Sequence, residues 1–226
     1  MAAAEIDYAG GVSRADDIVS VLREKRPLVL VDFTHPAVGL EHALAAVEAG
    51  VAPVIGTSGI PEAGVDHLKR ACAEREVEEI VAPNFAVGAV LMMWLAEQAA
   101  PFFDSADVIE IHHAAKADAP SGTAVATARR MAAAQDERPF EHPDTEKIVV
   151  AGARGGESEG VGLHSLRIPG VVAEQEVLLG LAGQTLAIAH RTTSRECYVP
   201  GVLLAVRRVA AEPRFYRGLE PLLGLS

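Results

Sequence analysis

The feature that most constrains this chain is an alternation in its first two-fifths. Short apolar runs alternate with longer segments whose apolar residues recur at helical spacing. Leu28-Val29-Leu30-Val31-Asp32-Phe33 follows Pro27 and reads as a buried strand. His35 to Gly50 carries Val38, Leu40, Leu44 and Val47 near helical spacing, and Gly50 stands where a helix stops. Ala52-Pro53-Val54-Ile55 reads as a second strand. Pro61 opens another helix, ending near Glu76, with Leu68 and Ala71 inward. Glu79-Ile80-Val81-Ala82 is a third strand. Strand, helix, strand, helix, strand implies a parallel sheet with right-handed crossovers.

The pattern then changes. A long helix is expected over Phe85 to Ala99, a strand over Val108 to His112, and a helix from Ser121 to about Ala134. From Lys147 onward come short strands punctuated by glycine: Val149-Val150, Leu163 to Ile168, Glu174 to Leu179 and Gln184 to His190. Gly152-Ala153-Arg154-Gly155-Gly156 precedes acidic residues rather than a helix, so it reads as a bend between strands. Pro200 to Val209 is a closing helix and Leu219 to Leu225 a short tail. These elements imply α/β architecture in two parts: an incomplete Rossmann-like parallel-sheet domain, and an α+β domain with a mostly β sheet. At the front, Ala3-Ala4-Glu5-Ile6-Asp7 is expected to be a strand ending in a carboxylate. A nucleotide-binding fold opens with strand, glycine loop and helix. This sequence opens where the second strand of such a fold would stand.

Composition narrows the classes. At 226 residues the chain holds one large domain or two small ones. A net charge of −11 argues against a basic nucleic-acid surface. Only six Phe, three Tyr and one Trp are present, so the core must be built from Ala, Val, Leu and Ile. No stretch approaches the roughly 18 apolar residues of a membrane helix, and the N-terminus has no basic signal region. Cys72 and Cys197 form no C-x-x-C pair, which argues against a zinc knuckle or a disulfide scaffold. The expectation is a reduced, cytoplasmic compartment with neither nucleic acid nor membrane as partner.

The densest polar cluster runs from Glu110 through His112, His113, Lys116, Asp118, Ser121 and Gly122 to Thr123. It lies between a strand and an Ala-rich helix, where a rigid scaffold presents catalytic loops. His112 can exchange a proton near neutral pH. Lys116 can pair with a carboxylate or donate to a developing anion. Ser121-Gly122-Thr123 opens a helix, whose free N–H groups favour an anion, and Gly122 permits close approach. Together they describe a pocket for a small acid that is protonated during reaction. Each also has a plainer reading: His112 as a structural residue, Ser121 or Asp118 as a helix cap. Adjacent histidines on a strand point to opposite faces, and no H-x-x-x-H or H-E-x-x-H spacing occurs, so no metal is expected. Gly56-Thr57-Ser58-Gly59 and Ala82-Pro83-Asn84-Phe85 follow parallel strands and emerge at one carboxyl edge, where open α/β folds bind ligands.

The segment Glu110-Ile111-His112-His113-Ala114-Ala115-Lys116-Ala117-Asp118-Ala119-Pro120-Ser121-Gly122-Thr123-Ala124 resembles the signature E-[IL]-H-H-x-x-K-x-D-A-P-S-G-T-A of the 4-hydroxy-tetrahydrodipicolinate reductase (dihydrodipicolinate reductase) family. The resemblance extends through Val31-Asp32-Phe33-Thr34 and both loops above. It continues through His164-Ser165-Leu166-Arg167-Ile168-Pro169-Gly170, Ser194-Arg195 and Pro200-Gly201-Val202. It implies an NADH- or NADPH-dependent oxidoreductase of lysine biosynthesis by the diaminopimelate route. His112 would be the proton donor/acceptor and Lys116 a second donor. His113, Gly122 and Thr123 would contact a dicarboxylate substrate. Gly56, Thr57 and Ser58 with Ala82, Pro83, Asn84 and Phe85 would line the cofactor, and Asp7 would face its adenosine ribose. Asp7 followed by Tyr8 leans to NADH, because a carboxylate repels a 2′-phosphate. Residues 1–84 with 196–226 would form the dinucleotide-binding domain. Residues 85–195 would bind substrate and join a homotetramer.

The family opens with a strand, G-x-x-G-x-x-G and a helix, and this sequence carries no such segment. Two expectations follow: a start encoded upstream, or a degenerate copy with weakened nucleotide binding. A non-catalytic dicarboxylate-binding or partner subunit is therefore the alternative to the reductase, and a metal hydrolase built on the His pair a third reading. Retention of His112, His113, Lys116, Gly122 and Thr123 favours the reductase.

Overall fold

The computed structural model describes residues 6–13, 15–57, 59–77, 79–135, 138–211 and 215–225. The chain divides into two compact units, Met1–Val87 with Tyr198–Ser226, and Gly88–Cys197.

The first unit holds α1 (Ile18–Lys25), β1 (Val29–Asp32), α2 (Pro36–Glu48), β2 (Ala52–Ile55), α3 (Glu62–Arg75), β3 (Glu79–Val81), α6 (Val199–Val209) and β9 (Phe215–Arg217). Its sheet runs β1-β2-β3-β9 and every pair is parallel. All four residues of β2 are buried, as a strand covered on both faces requires. Ala43 and Val47 of α2 and Leu68 and Cys72 of α3 close on Ile55. Leu22 of α1 packs with Ala46 and Val51. Aliphatic side chains and Cys72 make up these two clusters, and the buried aromatics of the unit are Phe85 and Tyr216.

The second unit opens with α4 (Val87–Ala99), whose first residue belongs to the first unit. The second unit holds β4 (Ser105–His112), α5 (Gly122–Ala134), β5 (Gly156–Ser158), β6 (Val161–Arg167), β7 (Ala173–Leu181) and β8 (Gln184–Thr192). Its mixed sheet runs β5-β6-β4-β7-β8. Only β4 and β6 are parallel; the other pairs are antiparallel. Ala124, Ala128 and Met131 of α5 recur on one helical stripe. They pack on Ala106, Val108, Leu163, Val177 and Leu179 of the sheet.

Several expectations need correction. Val149-Val150 is a bend, not a strand; both residues are exposed and no strand pairs with them. Of the expected strand Ala3–Asp7, residues 3–5 lie outside the described residues, and Ile6 and Asp7 belong to no strand. The helix expected from Phe85 begins at Val87, because Asn84 Oδ1 accepts from Ala86 N and holds the preceding turn. Three elements were not anticipated: α1, capped by Asp17, and the three-residue strands β5 and β9, too short to show alternation.

One buried group carries a consequence for stability. Glu79 of β3 is fully buried; Cys72 Sγ donates to its Oε2 at 2.8 Å, while Oε1 has no partner. Burial pushes the carboxyl up to about 7, and the Cys72 thiol and Lys69 charge draw it back only in part. An acid with a raised folded value contributes no penalty below its ordinary value of 4.5, and stability is lost as pH rises through about 7. Between pH 5 and 8 this group should lower stability by about 2–3 kcal/mol. Urea melts of Glu79→Gln should lack that decline. An equal decline in the variant would show that another group causes it.

Candidate functional site

In the first unit, β1, β2 and β3 run parallel, so the loops that follow them emerge at one carboxyl edge. Asp32 ends β1 and is buried. Its Oδ1 accepts from Thr34 N at 2.9 Å, Thr34 Oγ1 at 2.8 Å and Thr57 Oγ1 at 2.9 Å. Its Oδ2 lies 2.7 Å from His42 Nδ1 on α2. Burial pushes this carboxyl up, but the bonds from Thr34, His42 and Thr57 outweigh it and hold it below the ordinary carboxylate range. One ionised acid therefore ties the loop after β1 to the loop after β2 and to a helix. The register continues into both loops: Gly56 N donates to Asp32 O, and Ala82 N to Ile55 O.

Gly56 lets the Phe33 ring lie against its backbone. A Cβ there would fall 2.2 Å from a ring carbon of Phe33. Phe33 also meets the Phe85 ring at 5.3 Å, tilted by 60°. Gly201 at the head of α6 lies so close to Phe85 that a Cβ would sit 2.2 Å from its carbonyl oxygen. Of the residues expected to line a cofactor, Thr57, Ala82 and Phe85 are buried, Gly56 and Asn84 half-buried, and Pro83 exposed. Ser58 lies outside the described residues. Asp7 is exposed in an irregular segment, not at the end of a strand.

The donor set can be tested against a nicotinamide nucleotide. Phe33, Thr34, Gly56, Thr57, Ala82, Pro83 and Asn84 present backbone, small apolar groups and a ring, and no charged side chain. The Thr34 and Thr57 hydroxyls are bonded to Asp32 and the Asn84 carbonyl to Ala86 N, so the uncharged backbone and ring surface that remains fits the flat end of a reduced nicotinamide nucleotide.

In the second unit the residues of the signature come together at the end of β4. Glu110 and His112 stand two apart on one strand, so they share a face. Glu110 is fully buried. Its Oε2 lies 2.5 Å from His112 Nδ1. Arg167 on β6 grips it in two places, Nη1 to Oε2 and Nη2 to Oε1, each 2.8 Å. Ser121 N also donates to Oε1 at 3.2 Å. Burial pushes the Glu110 carboxyl up, but Arg167, Ser165 and His112 together hold it below the usual range, so it is ionised at neutral pH. An ionised carboxylate only accepts, so the Nδ1 of His112 carries the hydrogen and Nε2 is left free. Burial depresses the His112 imidazole; Lys116 and Arg167 add to this, and Glu110 opposes it.

Around this pair, Lys116 Nζ donates to Asp118 Oδ1 at 2.6 Å, which holds the exposed Asp118 carboxyl down. Lys116 N donates to His113 O, a turn that leaves His113 exposed. Ser121 caps α5, its Oγ accepting from Ala124 N at 3.1 Å. The first-turn N–H groups of Gly122 and Thr123 have no acceptor within the helix. A Cβ on Gly122 would meet nothing within 4 Å, so this helix start is open. A carboxylate suits such a position.

The sequence reading assigned no role to Glu110, Arg167, Asp32 or His42. The i, i+2 spacing of Glu110 and His112 was the available signal. Arg167 reaches Glu110 only because β4 and β6 pair in register, His112 beside Arg167.

The fold class is shared with dehydrogenases. A probable dehydrogenase from Thermotoga maritima superposes with a TM-score of 0.56 at 10% identity, covering 92% of this chain and 78% of that one. A dihydrodipicolinate reductase from Paenisporosarcina sp. TG-14, solved with dipicolinate bound, superposes at 0.80 with 36% identity, covering 91% of this chain and 77% of that one. A 4-hydroxy-tetrahydrodipicolinate reductase of Moorella thermoacetica is 50% identical over 213 residues, 94% of this chain and 79% of the relative. The family model for the N-terminus of dihydrodipicolinate reductase matches residues 2–85, and that for its C-terminus residues 88–223. The chain belongs to the dihydrodipicolinate reductase family.

Proposed function

We propose that the chain reduces 4-hydroxy-tetrahydrodipicolinate to tetrahydrodipicolinate with NADH or NADPH, a step of lysine biosynthesis by the diaminopimelate route. The observation that carries this reading is the pairing of His112 with an ionised, buried Glu110 beside the open start of α5. Family membership supplies the substrate.

Replacing a ring hydroxyl by hydrogen consumes one hydride and one proton and releases water. A bound reduced nicotinamide nucleotide supplies the hydride. Gly56, Thr57, Ala82, Pro83, Asn84 and Phe85 line its nicotinamide end, with Ser58 in the same loop; Asp7 faces the ribose and favours NADH. His112 in its protonated form gives the proton from Nε2, the nitrogen that faces away from Glu110, and is left with hydrogen on Nδ1. Lys116 is the second donor. Gly122, Thr123 and His113 receive the substrate carboxylates.

The first unit is the dinucleotide-binding domain, and the second binds substrate and assembles a homotetramer in the cytoplasm. In support of assembly, α5 covers one face of the mixed sheet, while the other carries Ile109, Ile111, Leu178 and Ala189 beside Glu174, Glu176 and Arg191. Sedimentation equilibrium should give four times the chain mass; a monomer would remove the assembly from this reading.

His112→Gln should lower kcat at least about 100-fold with little change in KM, as loss of a positioned acid does. Steady-state oxidation of NADH with the substrate tests it. Activity within a few-fold of the parent would exclude His112 as the acid.

A further inference from the structure

The acid site contains more built structure than the reaction's proton donor needs. A carboxylate buried to 0% exposure, gripped twice by one guanidinium, is unfavourable to assemble unless every lone pair is used. The oxygens of Glu110 are shared among four partners on three elements. Oε2 faces His112 on its own strand, both oxygens face Arg167 on β6, and Oε1 faces the N-cap of α5. Ser165, its register partner on β6, also donates to it. On the other side, Gln175 of β7 is its register partner and is turned to Thr127, donating from Nε2 at 2.8 Å. Arg167 in turn donates from Nη2 to Asp118 O at 2.6 Å, in the loop between His112 and α5.

We propose that Glu110, held by Arg167, is the positioning residue of this site: it fixes His112 with hydrogen on Nδ1 and simultaneously anchors the start of α5. The inference rests on the reading of His112 as the proton donor. The two ends of the chemistry, the acid and the anion-receiving helix start, thereby hang on one carboxylate. Its negative charge offsets the burial and the Lys116 and Arg167 charges, all of which disfavour protonated His112. Its second oxygen fixes where the Ser121 cap, and with it the Gly122 and Thr123 amides, stand relative to the imidazole. Arg167 holds both oxygens of Glu110 and, through Asp118 O, the loop between His112 and α5.

The test uses Glu110→Gln, which keeps the shape and removes the charge. Nitrogen-15 spectra of the histidine rings should show hydrogen on Nδ1 of His112 in the parent chain, assigned with His112→Gln. In Glu110→Gln the His112 midpoint should fall by about one pH unit or more, since one nearby full charge is lost. The alkaline limb of the pH–kcat profile should move to lower pH with it. At neutral pH kcat should fall about 10- to 100-fold while KM changes less than about threefold. Glu110→Asp, which restores the charge, should recover part of both. If Glu110→Gln fails to fold, the tautomer in the parent and the Glu110→Asp titration still decide the matter. Hydrogen on Nε2 in the parent, or a His112 midpoint that Glu110 substitutions leave unmoved, would overturn the proposal. The tautomer and the His112 midpoint need no turnover, so a chain that fails to reduce the proposed substrate would defeat the functional reading without touching them.

Discussion

The bidentate contact between Arg167 and the buried Glu110 is the interaction around which His112, the start of α5 and the loop between them are arranged. A carboxylate removed from water loses several kcal/mol of solvation, and a single weak partner would not restore it. Here the guanidinium, the Ser165 hydroxyl, the Ser121 amide and the imidazole together outweigh burial, and the carboxyl stays ionised. Two consequences follow from that charge: the His112 tautomer is set and the first turn of α5 is anchored. Arg167 itself ties the loop carrying Lys116 and Asp118 to β6 through Asp118 O. Breaking such a pair by removing one partner typically costs 3–5 kcal/mol, because the other charge stays buried.

The first unit repeats the device with a different acid. Asp32 stands at a strand end, buried, and gathers Thr34, Thr57 and His42. Hydroxyl and amide donors suffice there, with no guanidinium. The difference matches the two tasks proposed for them: loops that would receive a flat ring need fixed backbone, whereas a proton donor at His112 would need a charge close to the imidazole. Glu79, by contrast, has one weak thiol donor and an unpartnered oxygen, and burial wins. Placed side by side, the three buried acids show donor number deciding ionisation.

Much of this was legible in the chain itself. Alternation of β-rich and helical runs forecast the parallel sheet, because β2 is buried on both faces and reads as continuous apolar residues. The signature segment marks the turn between β4 and α5, where His112 bonds Glu110, Lys116 bonds Asp118 and Gly122 opens the helix. Less legible were contacts made by register. Arg167 is 57 residues from Glu110 and reaches it through β4–β6 pairing; Thr57 is 25 residues from Asp32 and reaches it across the β1–β2 edge. Val149-Val150 misled because β-branched residues favour strands only where a partner strand exists. Strand β9 hid for the opposite reason, three residues being too few to show a period.

Hydride transfer by this chain to the ring of 4-hydroxy-tetrahydrodipicolinate is measured with NADH deuterated at its transferable position and mass spectrometry of the ring product. One deuterium is expected at ring carbon 4 for each nucleotide oxidised. Unlabelled product, or nucleotide left unoxidised in the presence of substrate, would contradict it.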